Sequence, residues 1–151
     1  MIEARRIGED DWRRWRAMRL AALATDPAAF GSTLADWSGA NDREERWRAR
    51  LAASPLSGLL EVDGATAGMV AACRPHGTAE VVSLWVHPDF RGRGVGEAAL
   101  AAVVDFAAGS DVLLSVRADN HPAIRLYERC GFVDDGVSPD DPRERRLRRP
   151  G

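Results

Sequence analysis

Arg91-Gly92-Arg93-Gly94-Val95-Gly96 combines residue types at a spacing suited to holding an anion. It follows a strand-like stretch ending at Val86-His87-Pro88 and opens an apolar run with helical character. Alternating glycines let a backbone approach a ligand closely, and the free N–H groups of a helix start carry the positive end of its dipole. Two arginines add full charges suited to bidentate contact. The natural guest is a phosphate or pyrophosphate. The lysine-dependent phosphate loop is excluded, because the chain contains no lysine and all 21 basic residues are arginine. The dinucleotide fingerprint fails as well. It needs Gly-x-Gly-x-x-Gly after a first strand, whereas Gly-x-Gly-x-Gly stands here behind three strand-like segments.

Other groups with chemical potential are sparse. Tyr127 is the only tyrosine. Cys73, Cys130 and the three histidines form no metal-ligand spacing, so no metal is expected and both cysteines read as small buried apolar residues. His87 and His121 stand beside prolines and read as turn residues. The arginines of Arg143–Arg149 follow Asp134, Asp135, Asp140 and Asp141, which predicts local charge compensation on a solvated last strand.

The elements that must position these groups follow from periodicity. Ile2 to Ile7 reads as an opening strand, and Trp12, Trp15, Met18 and Ala22 recur at helical spacing until Asp26-Pro27. A charged helix is expected from about Asp42 to Ala53. Gly58 to Val62 and Ala65 to Cys73 flank Asp63-Gly64, a two-residue hairpin signal, and Ala79 to Val86 is a third consecutive strand. Gly94 to Ala108 reads as a helix buried against a sheet, Val112 to Val116 as a strand, and Pro122 opens a helix ending near Cys130-Gly131 before a strand from Phe132. The expected fold class is mixed α/β, a mostly antiparallel sheet of six or seven strands with about four helices in the order β-α-α-β-β-β-α-β-α-β. With 151 residues and a net charge of −2, a single domain over 1–151 is expected, with no dedicated polyanion binding. The longest apolar run, Ala98 to Val104, is too short for a membrane span, and Met1 to Arg6 lacks a signal-peptide core. A cytoplasmic protein with no membrane or nucleic-acid partner is the expectation.

The loop and its surroundings resemble the GNAT superfamily of N-acetyltransferases. Arg91, Gly94 and Gly96 match the family's Arg/Gln-x-x-Gly-x-Gly/Ala, entered by Val82-Ser83-Leu84-Trp85-Val86-His87-Pro88. Asn120, Ala123, Leu126-Tyr127, Gly131 and Phe132 match its second block, Asn-x-x-Ala-x-x-Leu-Tyr-x-x-x-Gly-Phe. Asp26 to Gly31 resembles its first-helix loop less specifically. The resemblance implies an acyltransferase using acetyl-coenzyme A as cosubstrate. It places the pyrophosphate on Arg91, Gly92, Arg93, Gly94, Val95 and Gly96, and the pantetheine on the main chain of Leu84, Trp85 and Val86. It places the thioester between Val86 and Ser115, and Asn120 beside the pantetheine or fixing the turn beneath it.

Transfer to an amine requires loss of an ammonium proton, a donor for the developing oxyanion, and a proton for the departing thiolate. Tyr127 matches the family's proton donor, and Glu80 resembles the general base of its histone-acetylating members; water chains are the alternative. Strand alternation sets Glu80 on the face of Val82 and Leu84 unless a bulge intervenes. The acceptor, a small-molecule or peptide amine, is shaped in this family by the stretch Trp12 to Ala53, where Trp37 is a candidate lining residue, and a homodimer is compatible. A non-catalytic acyl-coenzyme A sensor would keep the glycine loop but would need neither Tyr127 nor Glu80.

Overall fold

The computed structural model describes residues 1–151. A first strand β1 (Ile2–Arg6) leads into α1 (Trp12–Thr25) and α2 (Glu44–Ala53), joined by short 3-10 turns. Three antiparallel strands follow, β2 (Leu56–Val62), β3 (Ala65–Cys73) and β4 (Ala79–Val86). Asp63 and Gly64 both take positive φ (50° and 87°), which this hairpin twist demands. Helix α3 (Val95–Ala107) crosses to β5 (Val112–Arg117), and α4 (His121–Arg129) precedes β6 (Val133–Val137) and β7 (Glu144–Arg149).

All seven strands form one sheet in the order β1-β2-β3-β4-β5-β7-β6, with only β4 and β5 parallel. Alternation along β3 feeds two cores. Met69 and Ala71 pack with Trp15, Trp47 and Leu51 beneath α1 and α2, while Val70 and Ala72 pack with Leu100 and Val103 of α3. The mixed α/β class and the four helices agree with the sequence reading.

The break between β4 and β5 matters most for function. Their ladder holds for two pairs only, Ala79 with Val112 and Glu80 with Leu113. Beyond them β4 stays on β3 out to Val86 and β5 stays on β7 out to Arg117, so the strands part and leave a cleft.

Three expectations need correction. The arginine-rich terminus is no solvated last strand: β7 lies between β5 and β6, with Leu147 buried. Arginine suits this interior position because its stem covers apolar surface while its head reaches acids on the neighbouring strands and on the turn before β5, as Arg145 does to Asp134 (2.7 Å) and Arg148 to Asp111 (2.5 Å). Helix α3 is buried on one face only, since Ala101 and Asp105 are exposed. Cys73 and Cys130 are half-buried, and that partial burial pushes both thiols up.

Candidate active site

The glycine loop does two jobs. Gly92 (φ 76°) and Gly94 (φ 85°) adopt left-handed backbone, and Gly94 caps α3. Gly96 instead makes room for α4, since a Cβ there would stand 2.7 Å from Leu126 Cδ2. Intrahelical bonding begins with the Ala98 N–H on the Gly94 carbonyl, so the N–H groups of Gly92, Arg93, Gly94, Val95 and Gly96 have no protein partner. Five unpaired donors at a helix start make an anion cradle.

The two loop arginines behave differently. Arg91 is already engaged: Nη2 pairs with Asp26 at 2.7 Å and Nε donates to the Val86 carbonyl at 3.0 Å. Asp26 also accepts the Trp85 indole N–H at 2.7 Å, and that bond, with Arg91, holds its carboxyl below the usual range. Arg93 is exposed over the Phe90 ring, 5.4 Å from its centroid, and makes no ion pair.

Leu84, Trp85 and Val86 all border the cleft, yet not equivalently. Trp85 pairs with Met69, and its carbonyl lies 2.6 Å from where a Gly68 Cβ would be, so its main chain faces β3. Alternation then turns the main chain of Leu84 and Val86 toward the cleft. Trp85 contributes an indole to the far core rather than a pantetheine partner.

The cleft encloses about 960 Å3 and is closed on its other side by α4. Asn120 Oδ1 accepts the Ala123 N–H at 3.3 Å and caps that helix, so it fixes the turn. Tyr127 is half-buried, set edge-on to Phe132 with centroids 5.9 Å apart, and its hydroxyl has no protein partner. Burial pushes its pKa up to about 12, so the phenol stays protonated.

Past the apex of the cleft lies a second pocket of about 350 Å3, and Ser115 and Glu144 border both. Here the strand geometry settles the placement of Glu80. A register shift between Ala71 and Ala72 leaves Val82 as an extra residue in β4. The bulge turns Glu80 away from the face of Leu84 and onto that of Ser83 and Trp85, in the second pocket. Arg146 Nη1 donates to Glu80 Oε1 at 3.0 Å and to Ser115 Oγ at 3.2 Å, closing the apex. Sequence reasoning missed Arg146, as it missed Arg19, Ser83 and Arg50 of this pocket; Trp37 does line it. His87 Nδ1 accepts the Asp89 N–H at 3.1 Å, so it is a turn residue, and His121 is exposed at the first turn of α4. No group of three or more His, Cys, Asp or Glu is placed to hold a metal.

Residues 10–132 match the model of the Acetyltransferase (GNAT) family. The chain belongs to that family. Among relatives of this GNAT chain, a mycothiol acetyltransferase of Clavibacter sepedonicus is 40% identical over 134 residues, covering 85% of the chain. The N-alpha-acetyltransferase RimI of Mycobacterium tuberculosis is 45% identical over 58 residues, 38% of the chain and 37% of that protein. The chain spans 41% of the length of the mycothiol acetyltransferase. In fold it is similar to the PaiA N-acetyltransferase of Thermoplasma acidophilum, solved with coenzyme A (TM-score 0.77, 16% identity, all of this chain and 99% of that one). It is also similar to YncA of Salmonella typhimurium, solved with acetyl-coenzyme A (TM-score 0.73, 21% identity, 98% and 92% covered). No helix is long and apolar enough to cross a membrane.

Proposed function

We propose that this chain, acting as one domain over 1–151, transfers an acetyl group from acetyl-coenzyme A to a primary amine by direct attack in a ternary complex. One observation carries the reading. The cleft where β4 and β5 part runs from five unpaired N–H groups past the Tyr127 hydroxyl to an acid-bordered pocket. The fit is chemical at each point. A pyrophosphate suits the N–H groups of Gly92 to Gly96, and pantetheine amides suit the cleft-facing main chain of Leu84 and the Val86 N–H, the Val86 carbonyl being held by Arg91 Nε. Arg93 adds an exposed, unpaired positive charge, while Arg91 braces the wall through Asp26.

The cosubstrate, when bound, supplies an activated acetyl group as a thioester. The Leu84 N–H, turned into the cleft, donates to the oxygen that gains charge. Tyr127, protonated at neutral pH, gives its proton to the departing thiolate. Glu80 keeps Oε2 without a protein partner while Arg146 holds Oε1, so one oxygen remains to take the ammonium proton directly or through water. Asn120 keeps the first turn of α4, and hence Tyr127, in register.

The test is free coenzyme A release with a broad amine panel, with products identified by mass. Tyr127→Phe is expected to lower turnover about 100-fold while acetyl-coenzyme A affinity holds. Equal losses in both would remove Tyr127 as the acid. A chain that binds acetyl-coenzyme A but releases no thiol with any amine would be a sensor.

A further inference from the structure

Arg19 is the only buried arginine in the protein. Its Nη1 donates to Ser83 Oγ at 3.3 Å, and its guanidinium lies over the Phe30 ring, 4.7 Å from the centroid. No carboxylate reaches it. Arg50, half-buried on α2, lines the same 350 Å3 pocket with neither an ion pair nor a hydrogen bond. Most other arginines sit on acids, so two desolvated guanidiniums without one stand out. Burial and the nearby Arg50 charge bring Arg19 down to about 10, as expected for a cation lacking a counter-ion.

The acids of the pocket do not supply that counter-ion. Glu80 is held by Arg146, and neither Asp140 nor Glu144 pairs with Arg19 or Arg50. The charges are also sorted along the path to the donor. Glu144 and Ser115 border both cavities, and Arg146 ties Glu80 to Ser115. Arg19 and Arg50, like Glu80 and Asp140, border only the outer cavity, and neither guanidinium bonds to that shared end. An acceptor amine must lie at the shared end, where Glu144 and the Glu80–Arg146 pair stand. The opposite end offers unpaired guanidinium donors, which match an oxyanion bidentately.

We infer that the acceptor is a small amine that also carries an oxyanion, carboxylate or phosphate, held by Arg19 and Arg50 while its ammonium faces Glu80 and Glu144. This rests on the acetyl-transfer reading and names its substrate class. Cationic polyamines and purely cationic antibiotics are disfavoured by the same pair of charges.

The test compares alanine, leucine and phenylalanine with their primary amides, alongside phosphoethanolamine, by coenzyme A release. Amidation makes the amine less basic and so favours the amide intrinsically; the expected preference runs the other way. The acids should exceed their amides in kcat/KM by about 10- to 100-fold. Phosphoethanolamine exceeding every amino acid would assign the oxyanion as phosphate. Arg50→Gln should cut the acid-to-amide ratio about tenfold, and it serves where Arg19→Gln fails to fold. Amides equal to or better than acids, with phosphoethanolamine no better, would overturn the inference and leave the transferase reading intact. Because Trp37 lines the pocket, tryptophan fluorescence with coenzyme A present provides a readout that needs no turnover. Saturable quenching by the acids or phosphoethanolamine, lost in Arg50→Gln, supports the oxyanion site even if no thiol is released. No saturation by any of them, whether or not amines turn over, overturns it.

Discussion

Between Leu84 and Gly96 the groups that face a ligand are mostly main-chain, the cleft-facing edge of β4 and five N–H groups at the start of α3, with Arg93 the added side chain. Beyond the apex at Ser115 they are side chains, Arg19 from α1, Arg50 from α2 and Glu80 from β4, the last held by Arg146 of β7. The donor half is therefore specified by backbone shape, which tolerates little change in residue type. The proposed acceptor half is specified by charges that a few substitutions would rearrange. One fold can hold one donor and vary its acceptors by this division.

Breaking the donor half through its frame should give the largest effect. In Gly68→Ala a Cβ would stand 2.6 Å from the Trp85 carbonyl, forcing β3 from β4 beside the cleft. A loss of about 3 kcal/mol in chemical denaturation is expected, with weaker acetyl-coenzyme A binding alongside it. Unchanged stability would mean that the β4 edge is not held as described. Asp26→Asn tests the bracing of the donor half, because Asp26 ties the Trp85 indole to Arg91. Replacing it should cost about 1–2 kcal/mol in the same assay. Its carboxyl sits below the usual range, so the contribution is present above the unfolded pKa and fades as pH falls through the folded one.

Tyr127 sharpens the comparison differently. Burial raises its pKa from 10.0 to about 12, so its contribution to stability is complete below pH 10 and is lost as pH rises toward 12. As the only tyrosine, it alone supplies the tyrosinate absorbance band, whose midpoint should lie well above that of the denatured chain. A midpoint near 10 would place the hydroxyl in open solvent. The smallest effect is expected from Arg93→Ala: under about 0.5 kcal/mol in stability, since Arg93 only overlies Phe90, but a few-fold, salt-sensitive loss of acetyl-coenzyme A affinity.

The same division explains what could be read in the chain. Gly92 and Gly94 are demanded by positive φ and Asp63-Gly64 by its turn, so the loop, β3 and β4 follow from residue types alone. The family's second block likewise pointed to Tyr127, which lies on α4, and to Asn120, which caps that helix. The acceptor pocket left no such trace. Arg146 reaches Glu80 across 66 positions and Arg19 reaches Ser83 across 64, contacts that only sheet order creates. The bulge at Val82, which reverses the facing of Glu80, leaves no mark on the alternation of β4. Arg91 looked like a free phosphate ligand because its partner, Asp26, lies 65 positions away. The last strand was misplaced because arginine-rich composition resembles a solvated edge, whereas β7 uses those side chains to bind acids on both sides.

The central claim is that the donor is held by backbone and the acceptor by side chains. Titration calorimetry with acetyl-coenzyme A on the wild-type chain, Gly94→Val and Arg50→Gln tests it most directly. The expected result is a single acetyl-coenzyme A per chain, bound at least about tenfold more weakly by Gly94→Val, whose side chain opposes the left-handed cap, and within about twofold of wild type by Arg50→Gln. No binding to the wild-type chain, or a loss in Arg50→Gln as large as that in Gly94→Val, would contradict the account.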